Sequence, residues 1–306
     1  MINVFYDEKL NIDLGLLNYL HPFDGMKFKK IYKDISNNHN LTFHSTVLPI
    51  SLEVVNEFVN ELIGMLITEK VPVMRALEIP FIPFVKFSYL DRKVLLPMRY
   101  GVNNTLKAAE LALAGHNCWN LAGGYHHASQ HSMEGFCIYN DIGIAYQELI
   151  KSNKLMSSDK LLIIDTDAHH GNGNARTFMD NDNVTILDVY NESIYPSTYS
   201  TRERVDLPVP MPEKVTGNVY LTRYQKALNE LTSEYKVAFV VAGTDVLKSD
   251  KLGGMSLSVE DVIKREVATF QRLQALEIPV VFLGGGGYSG ESALAVSCAI
   301  NKLSDF

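Results

Sequence analysis

Leu161-Leu162-Ile163-Ile164-Asp165-Thr166-Asp167-Ala168-His169-His170-Gly171-Asn172-Gly173 is the stretch whose reading decides the fold. Four apolar residues read as a buried strand, and Gly171 and Gly173 mark where the chain turns away. Between them stand two carboxylates and two imidazoles. A spacing of two along extended backbone points side chains to one side, so Asp167 and His169 converge on a common point. One carboxylate oxygen and one imidazole nitrogen suit a borderline divalent ion such as Zn2+, and a third ligand from elsewhere leaves a position open. Solvated polar residues at a strand end give the same local pattern. The rest of the chain must decide.

Strand and helix patterns alternate around this stretch. Residues 2–6, 118–122, 184–189, 237–242 and 280–283 read as further strands. Helices are expected over 142–150, 219–235, 258–276 and 291–303, with Ser258 and Asp261 forming a capping-box pattern. Ser51 precedes apolar residues at helical spacing from Leu52 to Leu66. Pro72, Pro80, Pro83 and Pro97 predict irregular chain over 71–101, and a helix starts at Asn104 and ends at Gly115. Such alternation builds βαβ units: an α/β fold with a parallel sheet covered by helices on both faces. There is no repeat or linker, so residues 1–306 read as one domain.

The chain of 306 residues is 46% hydrophobic and 21% charged, the balance of an ordinary globular protein. No apolar run spans a bilayer, and the acidic Asp7-Glu8 start lacks a basic signal-peptide region. Cys118, Cys137 and Cys298 are odd in number and scattered, which predicts reduced thiols and an intracellular, cytoplasmic setting. A net charge of −7 argues against nucleic acid as the partner. Lys27, Lys29, Lys30 and Lys33 read as one solvated helix face. The segment His21-Pro22-Phe23-Asp24-Gly25 is a loop able to line a site.

In parallel sheets ligands bind beyond the carboxyl ends of the strands. Residues 118–122 lead into Gly123-Gly124-Tyr125-His126-His127, and 161–164 into Asp165, Asp167 and His169. Residues 237–242 lead into Gly243-Thr244-Asp245, and 280–283 into Gly284-Gly285-Gly286-Gly287-Tyr288. Four strand ends that all deliver polar groups define an active site. Asp167, His169 and Asp245 make three ligands, the count of a catalytic zinc with an open position. His126 or His127 can serve as base beside it, and Tyr288 as a donor to a developing oxyanion. The tetraglycine lacks the lysine and Ser/Thr of a P-loop.

These segments, with Gly135-Phe136-Cys137, resemble the signature set of zinc-dependent histone deacetylases in order and spacing. The finer match is to the class IV branch, through His21-Pro22-Phe23-Asp24, Asn172, Asp188-Val189-Tyr190-Asn191, Ile194-Tyr195-Pro196 and Leu252-Gly253-Gly254. The resemblance implies an arginase-like fold with an eight-stranded parallel sheet, hydrolysing the Nε-amide of lysine that carries an acetyl or long-chain fatty acyl group in a protein or peptide. It implies zinc on Asp167, His169 and Asp245, Tyr288 on the oxyanion, and His127 as principal base and then acid. His126, oriented by Asp165, assists. Gly135, Phe136, Tyr195 and Leu252 match the acyl-lysine tunnel, and a K+ ion is implied near Asp165, Asp167, His169 and Asp188. An acid that anchors the substrate backbone is sought among residues 81–97. At the position that commonly carries the aspartate orienting the second histidine, this chain has Asn172.

Three alternatives compete: deacetylation of a small acylated amine such as an acetylpolyamine, two-metal ureohydrolase chemistry, and a lapsed enzyme that binds acyl-lysine. The second wants more Asp and His ligands than these segments offer. The third gives Tyr288 and the histidine pair no purpose.

Overall fold

A computed structural model describes residues 1–13, 15, 18 and 21–306. Its eight strands are β1 (Ile2–Phe5), β2 (Leu41–His44), β3 (Asn117–Asn120), β4 (Lys160–Asp165), β5 (Val184–Asn191), β6 (Leu207–Met211), β7 (Tyr235–Val241) and β8 (Val280–Leu283). They form one parallel sheet in the order β2-β1-β3-β8-β7-β4-β5-β6. Strand residues alternate between two cores. Leu162 and Ile164 of β4 pack on one face with Ala238 and Val240 of β7. Leu161 and Ile163 pack on the other with Val237, Phe239 and Val241. Burial on both faces explains the unbroken apolar runs. Trp119 of β3 stacks on Phe282 of β8 with ring centroids 4.7 Å apart, joining the two strands at the centre of the sheet.

The helices covering the sheet are α1 (Lys27–Ile35), α2 (Leu52–Phe58), α3 (Glu61–Leu66), α4 (Lys70–Ala76), α5 (Phe87–Leu90) and α6 (Leu96–Leu113). They continue with α7 (Asp141–Lys151), α8 (Asn172–Thr177), α9 (Tyr199–Glu203), α10 (Gly217–Glu230), α11 (Val259–Ala275) and α12 (Ser292–Leu303). No helix among the described residues is long and apolar enough to cross a membrane.

Several expectations need correction. The patterns marked six strands. The two missed, β2 and β6, are the edges of the sheet. β6 carries Pro208 and Pro210, which an edge strand tolerates because one side of its backbone has no partner. The helix expected from Leu52 to Leu66 is two, because the Asn60 side chain accepts from the Ile63 amide and restarts the chain as α3. Residues 71–101 are largely helical rather than irregular, and α6 begins at Leu96, not Asn104. Pro72 stands in the first turn of α4, where a missing amide costs nothing, and Pro97 is the second residue of α6. One π-helical turn, Asp91–Leu95, precedes Pro97, and Leu96 donates back to Asp91 five residues away. The helix expected over 219–235 stops at Glu230, leaving Tyr235 to open β7. The capping box holds: Ser258 and Asp261 exchange hydrogen bonds at the start of α11.

Candidate active site and metal centre

The strands β3, β8, β7 and β4 lie side by side, so the four chemistry-bearing turns converge above the middle of the sheet. One ligand atom each from Asp167, His169 and Asp245 falls within 4.8 Å of the others, the one such group among the described residues. His169 Nδ1 is 3.1 Å from Asp167 Oδ1 and 2.8 Å from Asp245 Oδ2. The loops enforce this. Gly286 donates its amide to Asp167 Oδ2 at 2.8 Å, and a Cβ on Gly286 would stand 2.6 Å from that oxygen. Ala168 donates to Asp245 Oδ1 at 2.8 Å.

Two buried carboxylates this close repel. Burial and the Asp167 charge push Asp245 up to about 7. Against burial, the two carboxylates raise His169 to about 10. Two carboxylates and one imidazole suit zinc in donor type, and like charges crowded in low dielectric suit a cation. The residues fit a divalent ion. The tetraglycine is no phosphate cradle, because Gly284, Gly285 and Gly286 spend their amides on Ala122, Gly123 and Asp167.

His126 and His127 are both buried, with ring centroids 4.0 Å apart. His126 Nδ1 lies 2.8 Å from Asp165 Oδ2, and its Nε2 lies 3.8 Å from Asp167. Burial opposes charging it, but Asp165 and Asp167 prevail and push His126 up to about 9. His127 Nδ1 meets the side-chain oxygen of Asn172 at 2.7 Å. Burial and the charges of His126 and His169 hold His127 well below the usual imidazole range. Adjacent in sequence, the two rings are opposite in character: one is held as a cation, the other as a neutral base.

Tyr288 lines a cavity with His126, His127, Gly135 and Phe136, and its ring lies against Phe136, centroids 5.6 Å apart. Burial and the surrounding carboxylates raise its phenol well above the usual value, so it stays a donor. Asp250 accepts from the Tyr288 amide at 2.7 Å and fixes the turn. Gly135 has φ +54°, and a Cβ there would come 2.5 Å from His127. Phe136 follows at φ +66°, a left-handed non-glycine residue beside the site, tied by its amide to Ala76 at 3.0 Å. His21 meets Phe136 edge-on at 4.5 Å and, with Phe23, lines the cavity.

Not every expected residue arrives there. Tyr195 stands at the mouth, its ring 5.4 Å from that of His127. Leu252 is exposed and outside the cavity lining, on the loop where Asp250 accepts from its amide. Asp91, the acid within 81–97, is bonded to Arg99 and lines no part of the mouth. Glu78 and Glu134 are the acids lining the groove beside it.

Lys27 overturns its expected place on a solvated face. Lys29, Lys30 and Lys33 are exposed, but Lys27 is 1% exposed and reaches the Gly285 and Gly286 carbonyls at 3.4 and 3.3 Å. Burial pushes it down to about 8 even with Asp167 and Asp245 nearby. Its position among Phe28, Ile31 and Ile35 on the buried stripe of α1 was the available signal. Arg265 was missed as well. Fully buried, it donates to the Thr166 and Gly243 carbonyls at 2.9 and 2.8 Å, clamping the loops that present Asp167 and Asp245.

Fold and site together define a parallel α/β protein with a centre fitted to a metal ion, and comparison with known proteins names its family. A histone deacetylase domain profile matches residues 49–302. Histone deacetylase 2 of Arabidopsis thaliana is 30% identical over 99% of this chain and 79% of its own length. The acetoin utilization protein AcuC of Bacillus subtilis (strain 168) is 30% identical over 61% of this chain and 51% of its own. The crystal structure of a histone deacetylase homologue complexed with SAHA superposes with a TM-score of 0.73 at 22% identity, covering 100% of this chain and 84% of that one. The chain belongs to the histone deacetylase domain family and is a hydrolytic deacetylase with that family's fold.

Proposed function

We propose that this chain is a zinc-dependent lysine deacylase of the class IV branch, removing acyl groups from Nε-amides in proteins or peptides. The convergence of Asp167, His169 and Asp245 beside His127 and Tyr288 carries the reading. Those three residues would hold zinc, which when bound polarises an acyl carbonyl and acidifies water. His127 accepts the proton of the attacking water on Nε2 and returns it to the departing lysine amine. His126, paired with Asp165 at 2.8 Å, stands beside His127 and assists. Tyr288 donates its phenolic hydrogen to the oxyanion. Gly135, Phe136 and Tyr195 would flank the acyl-lysine, and Leu252 would lie at its outer rim.

A second cation belongs to this reading. The Asp188 Oδ2 accepts from Gly171 at 3.0 Å and meets His170 at 2.6 Å, while its Oδ1 is buried without a hydrogen-bond partner. That oxygen supports a K+ site with backbone carbonyls of 165–169. Three free cysteines support an intracellular, cytoplasmic setting.

The cavity favours acyl groups longer than acetyl. It holds about 100 Å³ and is walled by Ile12, Phe28, Ile79, Val94 and Met98. One water needs only roughly 10–15 Å³ by the same measure. A panel of acetyl-, octanoyl- and myristoyl-lysine peptides, assayed with and without chelator, tests both statements. Chelator-sensitive turnover rising with chain length is expected. Hydrolysis of acetylpolyamines without hydrolysis of the peptides overturns the proposal.

A further inference from the structure

The orientation of His127 depends on a residue outside the metal loops. The Asn172 side chain offers its oxygen to His127 Nδ1 at 2.7 Å and donates its Nδ2 to Glu134 Oε1 at 3.0 Å. Arg176 donates to the same Glu134 oxygen, and its Nη1 also reaches Ser132 Oγ at 2.9 Å. Tyr195 donates its hydroxyl to Glu134 Oε2 at 2.8 Å. One carboxylate therefore joins the mouth of the site to the partner of its neutral histidine.

An amide has two unlike ends. Facing His127 with its oxygen, Asn172 accepts from Nδ1–H and leaves a lone pair on Nε2. Turned over, it would donate to Nδ1, and the ring hydrogen would sit on Nε2, where no proton can be accepted. Nothing in the imidazole itself chooses between the two. A carboxylate only accepts, so Glu134 holds the NH2 end and turns the oxygen toward His127. Arg176 balances the Glu134 charge, so the choice is made by geometry more than by field. An aspartate at 172 would need no such arbiter, because both its oxygens accept.

We infer that Glu134 is a positioning residue that sets the tautomer of His127 through the Asn172 amide and links it to the substrate mouth through Tyr195. The inference rests on His127 being the base of the deacylase reading. Imidazole 15N spectroscopy of the zinc-loaded protein reads the tautomer without any substrate. The native protein gives a single Nδ1–H form for His127. Glu134→Met gives a second, Nε2–H form and lowers kcat by about 10–100-fold with zinc content unchanged. Adding Asn172→Asp to that variant restores the Nδ1–H form and most of kcat, a rescue that a purely structural role would not allow. Should Glu134→Met fail to fold, the double variant Glu134→Gln with Arg176→Met carries the test: with no guanidinium to hold the amide oxygen, the new amide at position 134 can face Asn172 with either end, and both ring forms coexist. An unchanged Nδ1–H signal in the variant, or a loss that Asn172→Asp leaves unrepaired, overturns the inference. If no acyl-lysine is turned over at all, the ring spectra still decide the role of Glu134.

Discussion

Tyr288 has its phenol inside the cavity and its amide on Asp250, so removing the hydroxyl leaves the turn intact. Tyr288→Phe is expected to lower kcat by about 100–1000-fold with little change in KM. Zinc content should not change; turnover equal to the native enzyme would remove Tyr288 from the mechanism. Asn172 supports a different prediction. His127 lies well below its ordinary range, and its one neutral partner brings no negative charge. In Asn172→Asp a carboxylate stabilises the imidazolium, and the folded pKa of His127 rises. The acidic limb of kcat/KM therefore moves to higher pH. A limb that stays or moves lower contradicts this account. At this scale the sequence was most legible where a residue belonged to a motif. The metal triad, the histidine pair with Asp165 and Asn172, and Tyr288 are all brought to one place. Glu134 and Arg265 were illegible because each acts through a partner far along the chain, and no local spacing records that.

Asp141 opens α7 and reaches back across the turn after β3. Its Oδ2 accepts from Thr105 at 2.7 Å and Gly124 at 3.0 Å, and its Oδ1 from the Tyr125 amide at 2.8 Å. It thereby holds the turn that presents both histidines. Asp141→Ala leaves buried donors unmatched and should cost about 3 kcal/mol in chemical denaturation. Ser258→Ala, at the exposed start of α11 and outside the cavity lining, should cost about 1 kcal/mol and leave kcat unchanged. Equal losses for the two variants would show that the turn is not held by Asp141. Central elements were legible because burial on both faces writes long apolar runs. Edge strands were not, since β2 and β6 pair on one side only and tolerate polar residues and proline. Proline misled over 71–101 because its meaning depends on position in the turn, which composition does not give.

Over the whole molecule, the cluster of Asp167, His169 and Asp245 couples stability to pH. Without a cation, Asp245 is pushed up to about 7 from 3.8, so the folded protein holds a proton there that the unfolded chain releases. That contribution to stability is full below about pH 4 and lost as pH rises through 7. The metal-free protein should therefore weaken over this range, and zinc should raise Tm more at pH 8 than at pH 5. Scanning calorimetry of chelated and zinc-loaded protein at both values checks this; an equal or reversed gap overturns it.

The order of strands has a consequence for synthesis. β7 and β8 lie between β3 and β4 although they follow the other six strands in the chain. A nascent chain ending before residue 235 has two part-sheets with an empty slot between them, their inner edges bare. It also lacks Asp245 and Tyr288. Residues 235–306 behave as a keystone: until they slide into the gap, the half-built protein has exposed edges for a chaperone to guard and no pocket able to capture a metal ion.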